Sequence, residues 1–199
     1  MPEYADRLAA FIDAIGLVEP HVVGLSLGGA IALELYRRHP DVPRTLVLVS
    51  TYAGWAGSLP PEVVADRLQQ ALREADEPPE QFIGGWIPGL FTAATPADRV
   101  EAFVAMMSEF HPVGYRVMAR AMAECDLRDV LPRIRVPTMV LAGAADRRAS
   151  LAVAVALHAQ IPRSVLEVLP DVGHLINAEA PERFDAAVRG FLRSTPAAS

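Results

Sequence analysis

The chain has 199 residues and a net charge of −6, and hydrophobic residues make up 52% of it. This length suffices for one domain with a sizeable core, and the composition is that of a globular rather than a disordered protein. Arginines occur singly or in pairs such as Arg147-Arg148, so the basic stripe typical of nucleic-acid binding is absent. The single cysteine, Cys125, excludes an intrachain disulfide and a cysteine metal cluster.

The N-terminus carries neither the basic nor the apolar region of a signal peptide, and no apolar run is long enough to span a bilayer. We therefore expect a cytoplasmic protein that binds neither membranes nor nucleic acid. His158 and His174 have no acid or second histidine at a spacing typical of zinc sites. Neither a metal nor another cofactor is expected.

Alternating helix and strand patterns fill the first 52 residues. Apolar residues at helical spacing predict an amphipathic helix that Gly16 closes. Residues 21–25 are predicted as a short apolar strand, a helix follows and stops before Pro40, and residues 45–50 are predicted as a strand covered on both faces. This order of helix, strand, helix and strand predicts a parallel sheet with crossover helices.

Residues 53–125 differ, since pairs of proline and glycine interrupt their helical periodicity and no strand of comparable quality occurs there. Such interruptions are typical of short helices joined by turns. Strand patterns return at residues 136–143 and 164–169 with a helix between them, and a last helix at 181–193 precedes a frayed tail at 195–199. We predict a core made of residues 1–52 and 126–199, and a helical insertion at residues 53–125.

The run Gly24-Leu25-Ser26-Leu27-Gly28 lies between the first strand and the next helix. A sharp strand-to-helix turn pushes a serine out of the sheet into a cleft, and the crowding there demands very small residues two before and two after it. Gly24 and Gly28 meet that demand. The helix N-terminus directs free N–H groups at the site, with that of Leu27 the first donor to an oxyanion. The pattern indicates a nucleophilic serine, and a tightly packed glycine-rich turn is the alternative.

A serine hydroxyl needs a general base, which is expected on a loop that follows a late strand. His174 lies in such a loop, shortly after the strand ending at Leu169, and Gly173 before it allows close backbone approach. The other four histidines lie before a strand, within or at the end of a helix, or in the helical insertion. We therefore predict His174 as the base.

The carboxylate that orients the base should precede the histidine and follow an earlier strand. Asp146 meets both conditions, directly after the third predicted strand. Asp171 is close to His174 in sequence but is better suited to cap its own turn, and solvated or helix-capping roles suit Asp126 and Asp129 better. Asp146 is therefore the predicted acid.

Three segments, Gly24-Leu25-Ser26-Leu27-Gly28-Gly29, Gly143-Ala144-Ala145-Asp146 and Gly173-His174, resemble the signatures of the α/β-hydrolase superfamily in its order of Ser, Asp and His. The resemblance extends over essentially the whole chain. Pro137 and residues 181–184 of the last helix resemble small esterases and enol-lactonases with a helical cap. The resemblance implies an α/β fold with a parallel sheet of about four strands, flanking helices and residues 53–125 as the inserted cap.

The resemblance also implies strands that this sequence does not contain. Members of the superfamily have four more strands before the serine strand, whereas this sequence begins with the helix just upstream of it. We therefore expect the C-terminal part of the fold, with the first strand as an uncovered apolar edge that a second copy or a partner chain would cover. The second oxyanion donor, usually beside a His-Gly pair, has no counterpart here, and losing one donor lowers turnover by about 10²–10³-fold.

The resemblance implies a serine hydrolase that acts on a small carboxylic ester or lactone. The alternatives are other reactions of the superfamily, such as C–C bond hydrolysis or cofactor-free haloperoxidase-like chemistry, and a truncated non-catalytic binding protein. The residues expected to shape the substrate pocket are Leu25, Trp55, Trp86, Phe91 and Phe110. For each aromatic residue, burial in the core of the cap is the alternative.

Overall fold

The structure is a computed structural model that describes residues 1–195. Apart from Thr195, the predicted frayed tail lies outside the described residues. In chain order, the helices and strands are α1 (Pro2–Ala14), β1 (His21–Leu25), α2 (Leu27–Arg38), β2 (Thr45–Val49), α3 (Pro61–Glu74), α4 (Pro79–Leu90), α5 (Ala97–Met107), α6 (Pro112–Glu124), β3 (Thr138–Gly143), α7 (Leu151–Gln160), β4 (Val165–Leu169), α8 (Ile176–Glu179) and α9 (Pro181–Ser194). A short 3₁₀ helix at Leu131–Arg133 precedes β3.

The four strands form one parallel sheet in the order β1-β2-β3-β4. Each connection between neighbouring strands contains at least one helix, as parallel pairing requires. The register places Gly24 beside Leu48 and Leu48 beside Val140, so the carboxyl ends of the strands lie at one edge of the sheet. The loops that carry Ser26, Asp146 and His174 leave the sheet at that edge. The predicted α/β fold with a parallel sheet of four strands is confirmed.

Two apolar layers cover the sheet. Every residue of β2 is buried: Leu46 and Leu48 face one layer, and Val47 and Val49 face the other. Residues of α2 and α7 contribute to the first layer, and residues of α8 and α9 contribute to the second. α1 packs against α2. The prediction that this strand is covered on both faces is thus confirmed.

Helices α3 to α6, residues 61–124, follow one another between β2 and β3 and are called the four-helix segment below. Prolines begin α3, α4 and α6, at a position where an N–H would have no partner inside the helix. The segment has an aromatic core of its own, in which the rings of Trp86, Phe110 and Tyr115 lie with centroids 5.0 to 6.4 Å apart. The separation of the chain into a core and a cap stays a prediction.

β1 is the edge of the sheet, and within residues 1–195 no strand pairs with its outer side. Val23 on this strand is 45% exposed, and Val18 just before it is 87% exposed. Phe11, Ile15 and Leu17 also leave much of their side chains exposed. The uncovered apolar edge is therefore present, and the chain that would cover it stays a prediction.

The ends of two strands differ from the predicted ones. β2 ends at Val49 because Ser50 turns the backbone to a φ of 45°. β3 begins at Thr138, after Pro137, which has no N–H to donate to a neighbouring strand. The short helix α8 has too few residues for a periodic pattern and was not predicted. Within residues 1–195, no helix combines the length and apolar character needed to cross a membrane.

Cys125 is buried at the end of α6. Burial, which disfavours the charged thiolate, raises the pKa of its thiol to about 11. Because the thiolate is the reactive form, we expect iodoacetamide at pH 8 to leave Cys125 unmodified in the native protein and to alkylate it in urea, as measured by intact mass. Alkylation of the native protein as fast as that of the denatured chain would contradict this expectation.

Candidate active site

Ser26 occupies the sharp turn between β1 and α2. Its backbone has a φ of 53° and a ψ of −116°, a conformation that residues with side chains seldom adopt and that costs about 1–3 kcal/mol. The end of β2 holds the turn in place: the Ser26 N–H donates to the Val49 carbonyl at 2.9 Å, and Thr51 Oγ1 donates to the Ser26 carbonyl at 2.5 Å. The surrounding structure therefore imposes the strained conformation at the predicted nucleophile.

The turn is crowded on one side only. A β-carbon at Gly24 would lie 2.3 Å from the Gly28 carbonyl oxygen, and one at Gly29 would lie 2.4 Å from Thr51 Oγ1. A β-carbon at Gly28 would meet no described atom within 4 Å. The prediction that close packing requires both flanking glycines is confirmed for Gly24. It is wrong for Gly28, which faces open space, and the second crowded position is Gly29.

His174 and Asp146 lie in the loops that follow β4 and β3, and the loops meet because these strands are neighbours. His174 Nδ1 is 2.8 Å from Asp146 Oδ2, and both side chains are buried. Asp146 Oδ1 accepts the N–H groups of Arg148 and Ala149 at 2.7 and 2.9 Å. A carboxylate held in this way can fix the orientation of the imidazole and keep a proton on Nδ1, which leaves Nε2 able to accept one.

The loop that carries His174 is bonded to the four-helix segment. The N–H groups of His174 and Leu175 both donate to the carbonyl of Leu90, the last residue of α4, at 2.9 and 3.2 Å. Glu179 of α8 accepts the N–H of Gly173 at 2.8 Å and the N–H of Thr92 at 3.2 Å. The position of the imidazole therefore depends on α4 as well as on the sheet.

Ser26 and His174 line the same cavity of about 330 Å³, a size suited to a small molecule. Within residues 1–195, no hydrogen bond joins the two side chains, and in unliganded enzymes such bonds are often long. The lining combines the Ser26 turn, the His174 loop and the four-helix segment. Its residues are Leu25, Ser26, Leu27, Tyr52, Trp55, Arg67, Trp86, Leu90, Phe103, Met107, Phe110, Tyr115, Met118, Met122, Arg148, His174 and Leu175.

The residues predicted to surround the substrate are distributed unevenly. Four of them line this cavity: Leu25, Trp55, Trp86 and Phe110. Leu27, the predicted oxyanion donor, lines it as well. Phe91 does not line it. The backbone is extended at Phe91, just after α4, and its buried ring packs edge-on against Phe103 with centroids 5.5 Å apart. For Phe91 the alternative interpretation is therefore correct, since its ring is buried in the core of the four-helix segment.

The model of the alpha/beta hydrolase family matches residues 2–187, nearly the whole chain. The chain belongs to the α/β-hydrolase family. A solved structure of a thermophilic esterase from Thermogutta terrifontis is 32% identical and has a TM-score of 0.86, with 95% of this chain and 70% of that one covered. The enol-lactonase from Burkholderia xenovorans LB400 is 27% identical and has a TM-score of 0.82, with 96% and 72% covered.

A further relative of this α/β-hydrolase is the pimeloyl-[acyl-carrier protein] methyl ester esterase of Aromatoleum aromaticum. It is 28% identical, and the match covers 94% of this chain and 80% of that protein. These relatives are named as hydrolases of esters and lactones. The family match and these relatives together show that the chain is an α/β-hydrolase enzyme.

The sequence patterns missed four polar side chains that line the cavity of this α/β-hydrolase: Tyr52, Arg67, Tyr115 and Arg148. Arg67 Nη1 donates to the Tyr52 hydroxyl at 2.9 Å, Arg67 Nη2 donates to the Arg148 carbonyl at 3.0 Å, and the Tyr52 hydroxyl donates to that same carbonyl. Arg148 follows the predicted acid by two residues, and this short separation could have indicated that its side chain lies near the site. Arg67 lies on an amphipathic helix, where nothing in the sequence separates it from solvated arginines.

The three alternative acids of the α/β-hydrolase, Asp126, Asp129 and Asp171, form no hydrogen bond with His174 within residues 1–195. Asp171 is exposed, with a φ of 60°. Asp126 accepts a hydrogen bond from Arg128 Nε at 2.9 Å, which lowers the pKa of that carboxyl, and Asp129 pairs with Arg133 at 2.5 Å. Over the described part of the chain, no group of three or more His, Cys, Asp and Glu side chains is arranged to hold a metal ion.

Proposed function

We propose that this enzyme is a serine hydrolase that cleaves a small carboxylic ester or lactone with Ser26, His174 and Asp146 as its catalytic residues. The observation that carries the proposal is the buried pair in which His174 Nδ1 lies 2.8 Å from Asp146 Oδ2, beside a cavity that Ser26 also lines. The names of the relatives, an esterase, a methyl ester esterase and an enol-lactonase, support this substrate class. The four-helix segment would act as the cap over the substrate.

The first half of the proposed reaction transfers the acyl group to the enzyme. Ser26 Oγ forms a bond to the carbonyl carbon while its proton moves to His174 Nε2, and the C=O electron pair becomes an oxyanion. The tetrahedral intermediate then collapses, the C–O bond to the alcohol breaks, and the alcohol takes the proton from His174. Asp146 stabilises the imidazolium that exists between these two proton transfers.

The second half releases the acid. Water gives a proton to His174 Nε2 and attacks the acyl carbon, and Ser26 Oγ leaves with that proton. An ester gives an alcohol and an acid, whereas a lactone gives one hydroxy acid. Leu27 would supply an oxyanion donor in both halves, because it is the first residue of α2 and its N–H has no acceptor within residues 1–195.

The proposal is tested with a fluorophosphonate probe, which bonds only to an activated serine. We expect one label per chain, located on Ser26 by peptide mass spectrometry, and no label on the Ser26→Ala variant. Ser150→Ala is the matched control, because Ser150 is exposed and its side chain makes no capping hydrogen bond. A folded wild-type protein that stays unlabelled, or a label that persists in Ser26→Ala, would overturn the proposed nucleophile.

A further inference from the structure

Two guanidinium groups line the cavity that Ser26 and His174 share. Arg67 comes from α3 of the four-helix segment, and Arg148 comes from the loop that also carries Asp146. The described lining otherwise consists mostly of apolar and aromatic side chains and contains no aspartate or glutamate. Among residues 1–195, the wall of the cavity therefore carries two positive charges and no carboxylate.

Within the part of the chain that the structure describes, the Arg148 guanidinium has no anionic partner. It lies over the Trp86 ring, 5.8 Å from the centroid, and its alkyl chain would touch a β-carbon at Gly89. Within residues 1–195 it donates no hydrogen bond, and no carboxylate oxygen lies within 4.0 Å of it. Because Arg148 is partly buried, water does not fully replace the missing partner.

Arg67 is engaged in a different way. Its guanidinium donates to the Tyr52 hydroxyl and to the Arg148 carbonyl, and it lies 5.7 and 5.9 Å from the ring centroids of Tyr52 and Trp55. These contacts hold Arg67 in place and support the backbone of Arg148. Arg67 is therefore a positioning residue, whereas the Arg148 guanidinium has no hydrogen-bond acceptor among residues 1–195.

Two acids that contact residues of the cavity wall, Asp146 and Glu74, already have partners. The Asp146 carboxylate binds His174 and two backbone N–H groups. The Glu74 carboxylate accepts the Tyr115 hydroxyl at 2.6 Å and the Trp86 indole N–H at 3.1 Å. An anion from outside the protein would supply the partner that the Arg148 guanidinium lacks within residues 1–195, and a carboxylate matches its planar fork of donors.

We propose that the substrate is an ester or lactone that carries a free carboxylate in addition to its reacting carbonyl, and that this carboxylate binds the Arg148 guanidinium. The inference rests on the proposed serine chemistry and names the substrate class of the same cavity. Losing a hydrogen bond to a charged group lowers affinity by about tenfold to a hundredfold. Arg148 therefore decides between charged and neutral substrates.

The test compares two substrates of one length: the 4-nitrophenyl monoester of adipic acid, and the 4-nitrophenyl ester of adipic acid monoamide. We expect wild-type kcat/KM to favour the charged ester by at least about tenfold. Arg148→Met should remove most of this preference, and Arg148→Lys should retain part of it. Arg147→Met is the matched control, since Arg147 is the exposed neighbour and does not line the cavity. A wild type without the preference, or an unchanged preference in Arg148→Met, would overturn the proposal.

A binding measurement separates this proposal from the serine chemistry. The chain has two tryptophans, Trp55 and Trp86, and both line the cavity, so their fluorescence reports on ligands there. We expect adipate to bind wild-type protein at least about tenfold more tightly than adipamide, and Arg148→Met to abolish the difference. If this holds while neither ester is hydrolysed, the carboxylate site stands and the proposed reaction fails. If both esters are hydrolysed at equal rates and adipate does not bind, the reaction stands and the carboxylate site fails.

Discussion

Asp146→Asn is expected to lower kcat for ester hydrolysis by about 10⁴-fold. The reason lies in the contacts of Asp146 Oδ1, which accepts the backbone N–H groups of Arg148 and Ala149. An asparagine must place its amide oxygen at the position of Oδ1, because its NH₂ group is a donor and would face the two N–H donors of Arg148 and Ala149. Its NH₂ group then faces His174 Nδ1, which can accept this hydrogen bond only if the imidazole proton moves to Nε2. With that proton in place, Nε2 cannot take one from Ser26.

Asp171→Asn is the matched control for this prediction. Asp171 lies three residues before His174, is exposed, and has a φ of 60°, a conformation that asparagine tolerates well. Its replacement removes the same charge, here from the loop that carries His174, and we expect kcat to stay within about twofold of the wild-type value, since surface changes have small effects. The rates are measured with 4-nitrophenyl acetate, and circular dichroism checks the fold. A rate for Asp146→Asn as high as that of the control would show that Asp146 does not orient the base.

Gly24→Ala is expected to lower the free energy of unfolding by about 3 kcal/mol, as overpacking of a rigid site does. Its β-carbon would lie 2.3 Å from the carbonyl oxygen and 2.5 Å from the carbonyl carbon of Gly28. Both atoms belong to the backbone of α2, so no side-chain rotation relieves the clash. β1 and the start of α2 would have to separate, and the turn at Ser26 would change with them. Urea unfolding followed by fluorescence measures the loss.

Gly28→Ala gives the matched comparison, because the new methyl group meets no described atom within 4 Å. Gly28 is the second residue of α2, and alanine has a higher helix propensity than glycine. We therefore expect the free energy of unfolding to stay unchanged or to rise by up to about 1 kcal/mol. Equal losses of stability in the two variants would contradict the one-sided crowding seen at this turn.

The fold was predictable from the sequence because its strands have simple patterns. The continuous apolar run of β2 indicated burial on both faces, and the helices between strands indicated parallel pairing. The ends of the elements were less predictable, since they depend on single backbone angles such as the positive φ of Ser50. The short helix α8 is fixed by its packing and by the hydrogen bonds of Glu179.

Chain order sufficed to place Ser26, Asp146 and His174 at one edge of the sheet, because the carboxyl ends of parallel strands meet there. It did not suffice for the four-helix segment, whose core depends on contacts between side chains that are distant in sequence. Sequence periodicity could not tell that Phe110 lines the cavity while Phe91 packs against Phe103. For the same reason it did not reveal that Arg67 reaches the carbonyl of Arg148.

The bonds between Leu90 and the His174 loop limit how the enzyme can admit a substrate. If α4 swung outward as a rigid lid, the buried N–H groups of His174 and Leu175 would lose their shared acceptor, at about 1–3 kcal/mol for each unsatisfied donor. The same movement would remove a support of the imidazole. We therefore expect α4 to keep its position on the His174 loop while a substrate enters.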